Sequence, residues 1–342
     1  MFGYYGMNNY GDEMLLKSTL KLFSELGLKE VDLLYPRRGS RKMGGIRINH
    51  VPRTSPLSLI SAIKKADIVL GGGGNLFQDE TSNRSFLYYY ILVSTALFFK
   101  KPVFLFGHGI GKISSRKNYS RMKKILSKEL CVGFFRDEVS YRYARNFGRQ
   151  HKRGTDLSYE FLKKRGVTKK INGRLGLFLK RDWVDSDEII RPLKDEGIKE
   201  IQILVAFPDE ELKVAKRAKK DLERHFPTAI KVGEVSELTD QVATCSLVIS
   251  ERLHGSIVSS HFGIPLLCSD TFKMKSYFKD MKGFDAFFKD KSISEIGHAL
   301  SKIRKIDYGK LNEGFLRRNQ ARLKAMKKWL QAEIKKRPTH KQ

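Results

Sequence analysis

The chain has 342 residues, a length that fits two domains of ordinary size at ~150 residues each. Its 41% hydrophobic content, with 11% aromatic, excludes a disordered chain, and 66 Lys+Arg against 37 Asp+Glu leave a formal net charge of +29, which points to an anionic partner: nucleic acid, an acidic membrane surface or a phosphorylated small molecule. Three cysteines (Cys131, Cys245, Cys268) without C-x-x-C spacing exclude a disulfide scaffold and argue against a Cys-based zinc site, in keeping with a reducing cytosol.

The opening Met1-Phe2-Gly3-Tyr4-Tyr5-Gly6 has neither the basic nor the long apolar region of a secretory signal. Residues 31–35, 67–70, 103–107 and 131–135 are short apolar runs of strand character. They alternate with helical periods over 13–26, 56–65, 86–99 and 119–127. The run 86–99 is the longest apolar stretch. It is too short to cross a ~30 Å hydrocarbon core, and Lys100-Lys101 close it, so it reads as a buried helix of a soluble protein. From about residue 171 the alternation restarts, with strands at 175–179, 201–207, 229–232, 247–250 and 265–268. A helix spans 209–226, with Leu212, Ala215, Ala218, Leu222 and Phe226 on one face. Residues 162–173, polar and glycine-containing, read as a linker. The expectation is α/β architecture with parallel sheets, divided into domains 1–165 and 166–342.

The last 29 residues differ. Leu316, Leu323, Leu330 and Ile334 make a helical stripe, with nine Lys/Arg among residues 317–337. The helix either packs on a domain with its basic face solvated, or also attracts anionic lipid headgroups.

The loops after the strands carry the candidate chemistry. Gly71-Gly72-Gly73-Gly74 follows an apolar strand and lets backbone N–H groups approach a ligand, or serves as a packing turn. It is neither G-x-G-x-x-G nor a P-loop. Asn9 and Asp12 lie in a second glycine-rich loop that runs into a helix. There the acids Asp12 and Glu13 either complement the helix dipole or touch an acceptor. Little chain precedes Gly3, so the first strand is expected to be very short. Arg136 ends an apolar strand and can face a ligand or pair with Asp137 or Glu138. Arg252-Leu253-His254-Gly255 ends another strand where a helix begins, a place suited to phosphate. Lys273 lies beyond the next strand, on the same edge. Asp185-Ser186-Asp187 reads as a helix start and not as a metal site. His108, between two glycines after a strand, lines the same cleft or is structural.

Together these segments resemble the polysaccharide pyruvyl transferase family: GYYGMNNYGDE at the start, GGGGNLFQDETSNRS before the YYY helix, GHGIG, FFRDEVS, RGTDLSY, SERLHGS, and GIP followed by Lys273. The branch most similar pyruvylates cell-wall polysaccharides that anchor surface-layer proteins. The resemblance implies two Rossmann-like domains facing across a cleft, similar to double-Rossmann (GT-B-like) glycosyltransferases. It implies transfer of the pyruvyl carbons of phosphoenolpyruvate onto a sugar as a cyclic ketal. By position, the essential arginine, histidine and lysine fall on Arg136, His254 and Lys273. Substrate contacts are assigned to Arg252, Gly255, Gly72, Gly73, Asn9, Asp12, Asp79 and His108. Two departures stand out: the family often has Gln where His108 stands, and Asp270-Thr271-Phe272-Lys273 replaces a Tyr-Asp-Pro-Lys pattern. No cofactor and no metal are implied beyond phosphoenolpyruvate as donor. The partners are a saccharide acceptor, lipid-linked, and an anionic membrane contacted peripherally. Nucleic acid is not expected, because zinc-finger and RNP-type patterns are missing. The location implied is cytoplasmic, at the inner face of the membrane. The competing reading is a double-Rossmann glycosyltransferase using a nucleotide-sugar.

Overall fold

A computed structural model gives the chain as two compact units and describes residues 1–36, 39–163, 165–166, 169–182, 187–289, 294–305 and 307–337. The first unit comprises Met1–Met7, Asp12–Lys163 and Arg318–Gln342, and the second Asn8–Gly11 and Lys164–Arg317. The main division falls between Lys163 and Lys164. Two segments, Asn8–Gly11 and the chain from Arg318, group with the opposite half.

The strands of the first unit are β1 (Glu30–Tyr35), β2 (Gly39–Met43), β3 (Ile46–Pro52), β4 (Val69–Gly71), β5 (Gly74–Phe77), β6 (Val103–Ile110), β7 (Cys131–Phe135) and β8 (Lys152–Arg153). They order as β1-β3-β2 and β4-β6-β7-β8, with β5 on β6. Met1 and Phe2 join the two groups. Phe2 pairs in parallel with Gly71, and Leu34 N–H donates to Met1 O at 3.0 Å. Met1–Phe2 is thus the segment between β1 and β4. Leaving aside β5 and the two-residue edge strand β8, and counting the other parallel segments in chain order, the arrangement is 3-2-1-4-5-6, the order of a dinucleotide-binding Rossmann sheet. Strand β6 is buried along its whole length, which explains the unbroken apolar run from Val103 to Phe106. Helices start after polar caps: Ser82 accepts from Ser85 N at 3.1 Å, and Asp137 accepts from Ser140 N at 2.8 Å.

The second unit has β9 (Arg174–Phe178), β10 (Glu200–Leu204), β11 (Thr228–Lys231), β12 (Leu247–Ser250), β13 (Leu266–Ser269) and β14 (Phe287–Phe288). All pair in parallel in the order β11-β10-β9-β12-β13-β14, again 3-2-1-4-5-6. Leu175, Leu177, Ile201, Ile203, Leu247 and Ile249 form its core with the helix Pro208–Leu222. Both units thus have the Rossmann architecture, and the expected double-Rossmann α/β class holds. Asp185 and Ser186 lie outside the described residues.

The C-terminal helix Tyr308–Lys335 follows the first of the two readings, packing on a domain. Its buried face is Asn312, Phe315, Asn319, Leu323, Met326 and Leu330, so the apolar stripe is used in packing, and Leu316 and Ile334 are only half-buried. In the first unit Trp329 packs edge-on to Phe104 at 4.8 Å between ring centroids, and Asn319 Oδ1 accepts from Thr155 Oγ1 at 2.8 Å. These contacts are why the helix from Arg318 groups with the amino-terminal half. No apolar stripe is left for lipid. Lys327 is not a lipid-facing charge either: it pairs with Glu25 at 2.6 Å and with Glu160 at 2.7 Å, and the Glu160 side chain is fully buried. Lys21 is its other cation, at 3.7 Å. Burial alone would lower the pKa of Lys327, but the hydrogen bonds it donates to Glu160 and Glu25 raise it.

Removing one partner of a buried carboxylate leaves its charge poorly compensated. Lys327→Met is expected to cost about 1–3 kcal/mol, because Lys21 remains, whereas Lys328→Met on the exposed face should stay within about 0.5 kcal/mol. Urea unfolding of the two variants checks this; equal midpoints would show that the Glu160 pair is not stabilising.

Candidate active site

In each unit the strand order reverses at one point, and the loops leaving the carboxyl ends there open a crevice suited to ligands. In the first unit that point lies between Met1–Phe2 and β4, so GYYG and GGGG meet. Tyr5 OH donates to Gly72 O at 2.7 Å, and Gly72 N–H donates to Phe2 O at 3.1 Å. A Cβ at Gly72 would lie 2.2 Å from the Tyr5 hydroxyl. Both backbone groups of Gly72 are therefore engaged, and the expected N–H contact to a ligand is not available there. Gly73, with φ near +90°, is buried against Leu15.

Beyond β4 the same edge carries a buried polar cluster. Gly107, at φ +74°, makes a bulge in β6, so that Phe106 and His108 oppose consecutive residues Phe134 and Phe135. Arg136 follows β7 and is 2% exposed. Its Nη1 donates to Asp156 at 2.8 Å, its Nη2 to Asn75 Oδ1 at 3.2 Å, and its backbone N–H to His108 O at 2.9 Å. Among the described residues Arg136 Nε has no hydrogen-bond partner. The expected alternative partners are otherwise occupied: Asp137 caps its own helix, and Glu138 pairs with Arg142 and Arg153. His108 is fully buried between the rings of Phe2 and Phe77. Burial first, and the Arg136 charge second, push its pKa down to about 3. It is a neutral imidazole and cannot hold a phosphate by charge.

Asp79 has a structural task. It accepts from Ser114 N at 2.8 Å, Ser115 N at 3.0 Å and Asn118 Nδ2 at 2.9 Å, which ties the loop ahead of the helix Arg116–Leu126. Burial opposes ionisation, and these donors outweigh it, so its pKa is lowered. The assigned substrate contact at Asp79 would have to compete with three donors.

In the second unit the reversal lies between β9 and β12, and Arg252-Leu253-His254-Gly255 leaves β12 there. Glu251 N–H donates to Phe178 O at 3.0 Å, which joins this loop to the end of β9. His254 is 8% exposed. The segment Asn8–Gly11 covers the same edge. Tyr10 N–H donates to Ala206 O at 2.7 Å, Tyr10 OH meets Thr239 Oγ1 at 2.8 Å, and its ring stacks on Phe178. A Cβ at Gly11 would lie 1.9 Å from His254 Nδ1, so glycine alone lets the imidazole lie against that backbone. Asn9 Oδ1 accepts from Gly11 N at 3.1 Å and shapes this turn. Gly255 is a packing glycine: a Cβ there would enter the Phe178 ring at 2.6 Å. Arg252 pairs with Glu211, and with Glu210 at 3.3 Å. Glu211 is itself buried and accepts from Ala206 N at 2.7 Å and Phe207 N at 3.0 Å. Lys273, exposed, lies in the first turn of the helix Phe272–Phe278 after β13, the strand beside β12. Arg252, His254 and Lys273 thus share one sheet edge, while Arg136, His108 and Asn75 share the corresponding edge of the first unit. Among the described residues no group of three or more His, Cys, Asp or Glu could hold a metal ion.

Three residues of these clusters were not found from sequence: Asp156, Asn75 and Glu211. Asp156 stands in RGTDLSY and Asn75 follows the four glycines, but nothing local reveals that both reach Arg136. Glu211 reads as an ordinary acid in the first helical turn.

A buried neutral histidine makes stability pH-dependent. From pH ~6.5 downward the unfolded chain binds a proton that the folded chain refuses until pH ~3, so stability is lost as pH falls through that window, by up to ~1.4 kcal/mol per unit. His108→Gln should remove this component. The stability lost by the variant between pH 7 and pH 4.5 should be smaller than that lost by the parent, by on the order of 2 kcal/mol. Urea midpoints at both pH values check it; equal acid losses would contradict a neutral buried His108.

Comparison with known proteins agrees with this architecture. The family model "Polysaccharide pyruvyl transferase" matches residues 9–271. None of the curated proteins matches the chain. Among solved structures, the UDP-GlcNAc 2-epimerase of Neisseria meningitidis has a TM-score of 0.60 at 14% identity, covering 96% of this chain and 98% of that one. The UDP-forming α,α-trehalose-phosphate synthase of Burkholderia xenovorans has a TM-score of 0.56 at 10% identity, covering 94% and 96%. The α,α-trehalose 6-phosphate synthase of Burkholderia multivorans has a TM-score of 0.54 at 9% identity, covering 96% and 95%. At such identities the likeness carries the fold alone. The family match extends over most of the chain and takes in the Gly71–Gly74 loop, Arg136 and the Arg-Leu-His-Gly turn: the chain belongs to the polysaccharide pyruvyl transferase family.

Proposed function

We propose that this chain transfers the pyruvyl group of phosphoenolpyruvate onto two hydroxyls of a sugar, forming a cyclic ketal and releasing phosphate. The acceptor in this reading is a cell-wall polysaccharide or its lipid-linked precursor, of the kind that anchors surface-layer proteins. The reaction runs in the cytoplasm at the inner face of the membrane. The observation that carries the reading is His254, held at the strand reversal of the second sheet by a turn that the family model includes.

In the reaction, an acid adds a proton to C3 of the enolpyruvate, and C2 becomes cation-like. A sugar hydroxyl bonds to C2 and loses its proton to the base. The bond from C2 to the phosphate oxygen breaks, and the electron pair leaves with phosphate. A second hydroxyl bonds to C2 and closes the ring; its proton leaves with phosphate. Imidazole suits proton transfer near neutral pH, and we assign this step to His254. We assign Arg136 and Lys273 to the donor's phosphate and carboxylate, whose combined charge favours guanidinium and ammonium partners. Arg136 is already held by Asp156 and Asn75, so its guanidinium would be oriented before the donor arrives. No cofactor enters this scheme.

The test is incubation with phosphoenolpyruvate and a lipid-linked or synthetic disaccharide, following phosphate release together with the mass of the sugar product. Pyruvylated product and stoichiometric phosphate are expected, and EDTA should leave the rate unchanged. Glycosyl transfer from a UDP-sugar with no reaction of phosphoenolpyruvate would replace this reading by the nucleotide-sugar one.

A further inference from the structure

The strands of the first unit's main sheet run parallel, so the loops entering β4, β6, β7 and β8 share one edge, opposite the edge that carries Arg136. Hydrogen bonds confirm that they are neighbours: Val69 N–H donates to Pro102 O at 2.9 Å, Val103 N–H to Leu130 O at 2.8 Å, and Gln150 Nε2 to Lys128 O at 3.0 Å. Four strands span ~15 Å, so charges in these loops lie within about a Debye length and a half of one another at 0.1 M salt.

These loops are basic. Lys65, Lys100, Lys128, Arg149 and Lys152 are exposed, and Lys101 is half-exposed. None of the six has an ion-pair partner among the described residues. The acids in the same loops are Asp67 and Glu129. A lysine at a helix carboxyl end is favourable on dipole grounds alone. That does not account for two large apolar side chains among these cations. Phe98 is 79% exposed at the end of its helix, and Leu130 is 41% exposed just ahead of β7. Lys64 Nζ lies 4.9 Å from the centre of the Phe99 ring, and the Phe99 ring lies 5.2 Å from that of Phe98, so apolar and cationic groups alternate in contact.

We propose that this edge of the first unit docks on an anionic lipid bilayer, with the lysines against headgroups and Phe98 and Leu130 in the interfacial layer. A polyanion such as nucleic acid would satisfy the cations but offers Phe98 and Leu130 no apolar phase; a bilayer satisfies both. The docking surface is thus the strand-entry edge and not the C-terminal helix stripe, which packing consumes. No helix is long and apolar enough to cross a membrane among the described residues, so the contact is peripheral. The inference rests on these side chains and not on the transfer reaction, and its test uses no turnover.

The experiment is vesicle flotation of the full chain, with equimolar phosphatidylglycerol and phosphatidylcholine against phosphatidylcholine alone. Binding is expected only to the anionic vesicles, weakening as salt shortens the Debye length from ~10 Å at 0.1 M to ~3 Å at 1 M. Joint Lys100→Glu, Lys101→Glu and Lys128→Glu should lower binding at least ~100-fold, at ~1 kcal/mol for each lost cation. Phe98→Ser should lower it about tenfold. The same charge change on the second unit, at Lys213, Lys216 and Lys220, should leave most binding in place. Thermal melts of each variant establish that it is folded. Equal loss from both triple variants would show a diffuse effect of net charge and overturn the assignment. Duplex DNA bound more tightly than anionic vesicles, or indifference to Phe98→Ser, would overturn it in favour of a polyanion surface.

Discussion

A parallel sheet obliges each strand to be followed by a crossover, so all carboxyl ends gather on one edge and all amino ends on the other. This constraint organises both units. Where the crossovers change direction, neighbouring loops diverge and a crevice opens. In the first unit the reversal brings GYYG against GGGG; in the second it brings the Arg-Leu-His-Gly turn beside the end of β9. The glycines then follow from crowding. Gly11 is where the backbone meets His254, Gly72 is where it meets Tyr5, and Gly107 re-aims His108 through a bulge. The residues assigned to the reaction fall on the carboxyl edge, and the cations of the first unit's amino edge, without ion-pair partners among the described residues, are left for a different partner.

Electrostatics separates two populations of basic residues within the large net charge. A buried cation needs a carboxylate, because desolvation of an unpaired charge costs several kcal/mol. Arg136 has Asp156, Arg252 has Glu211, and Lys327 has Glu160 and Glu25. These pairs fix side-chain position more than they add attraction. For Arg136 the result is a guanidinium whose two terminal nitrogens are already engaged, while Nε has no hydrogen-bond partner among the described residues. His108 next to it stays neutral, so the two do not repel each other.

Much of the architecture was legible because buried parallel strands read as short apolar runs. Residues 103–107, 131–135 and 247–250 match β6, β7 and β12 closely. Strand β3 escaped notice, since Ile46-Arg47-Ile48-Asn49-His50-Val51 alternates with polar residues and lies in the part of the sheet reached by a hairpin. The Arg-Leu-His-Gly turn was legible from its strand-to-helix context. Its surroundings were not: Gly11 lies 243 positions from His254, and Asp156 lies 20 from Arg136, distances over which no local pattern acts. Gly72 looked like a ligand contact because glycine permits close approach, and the resemblance assigned one to Gly255. The structure shows that the approaching groups are Tyr5 and Phe178. The C-terminal stripe was read correctly as amphipathic, but amphipathicity does not say which surface it covers.

Proton transfer to C3 by His254 leaves an isotopic signature in the product. Turnover of phosphoenolpyruvate and a disaccharide acceptor is followed in heavy water by mass spectrometry of the ketal, for the parent and for His254→Ala, beside a thermal melt of each. One deuterium is expected in the ketal methyl for the parent. The variant should be folded, with kcat lowered by ~10²–10⁴-fold and donor affinity largely kept. A folded His254→Ala enzyme that forms the same deuterated ketal at the parental rate would contradict proton transfer by His254.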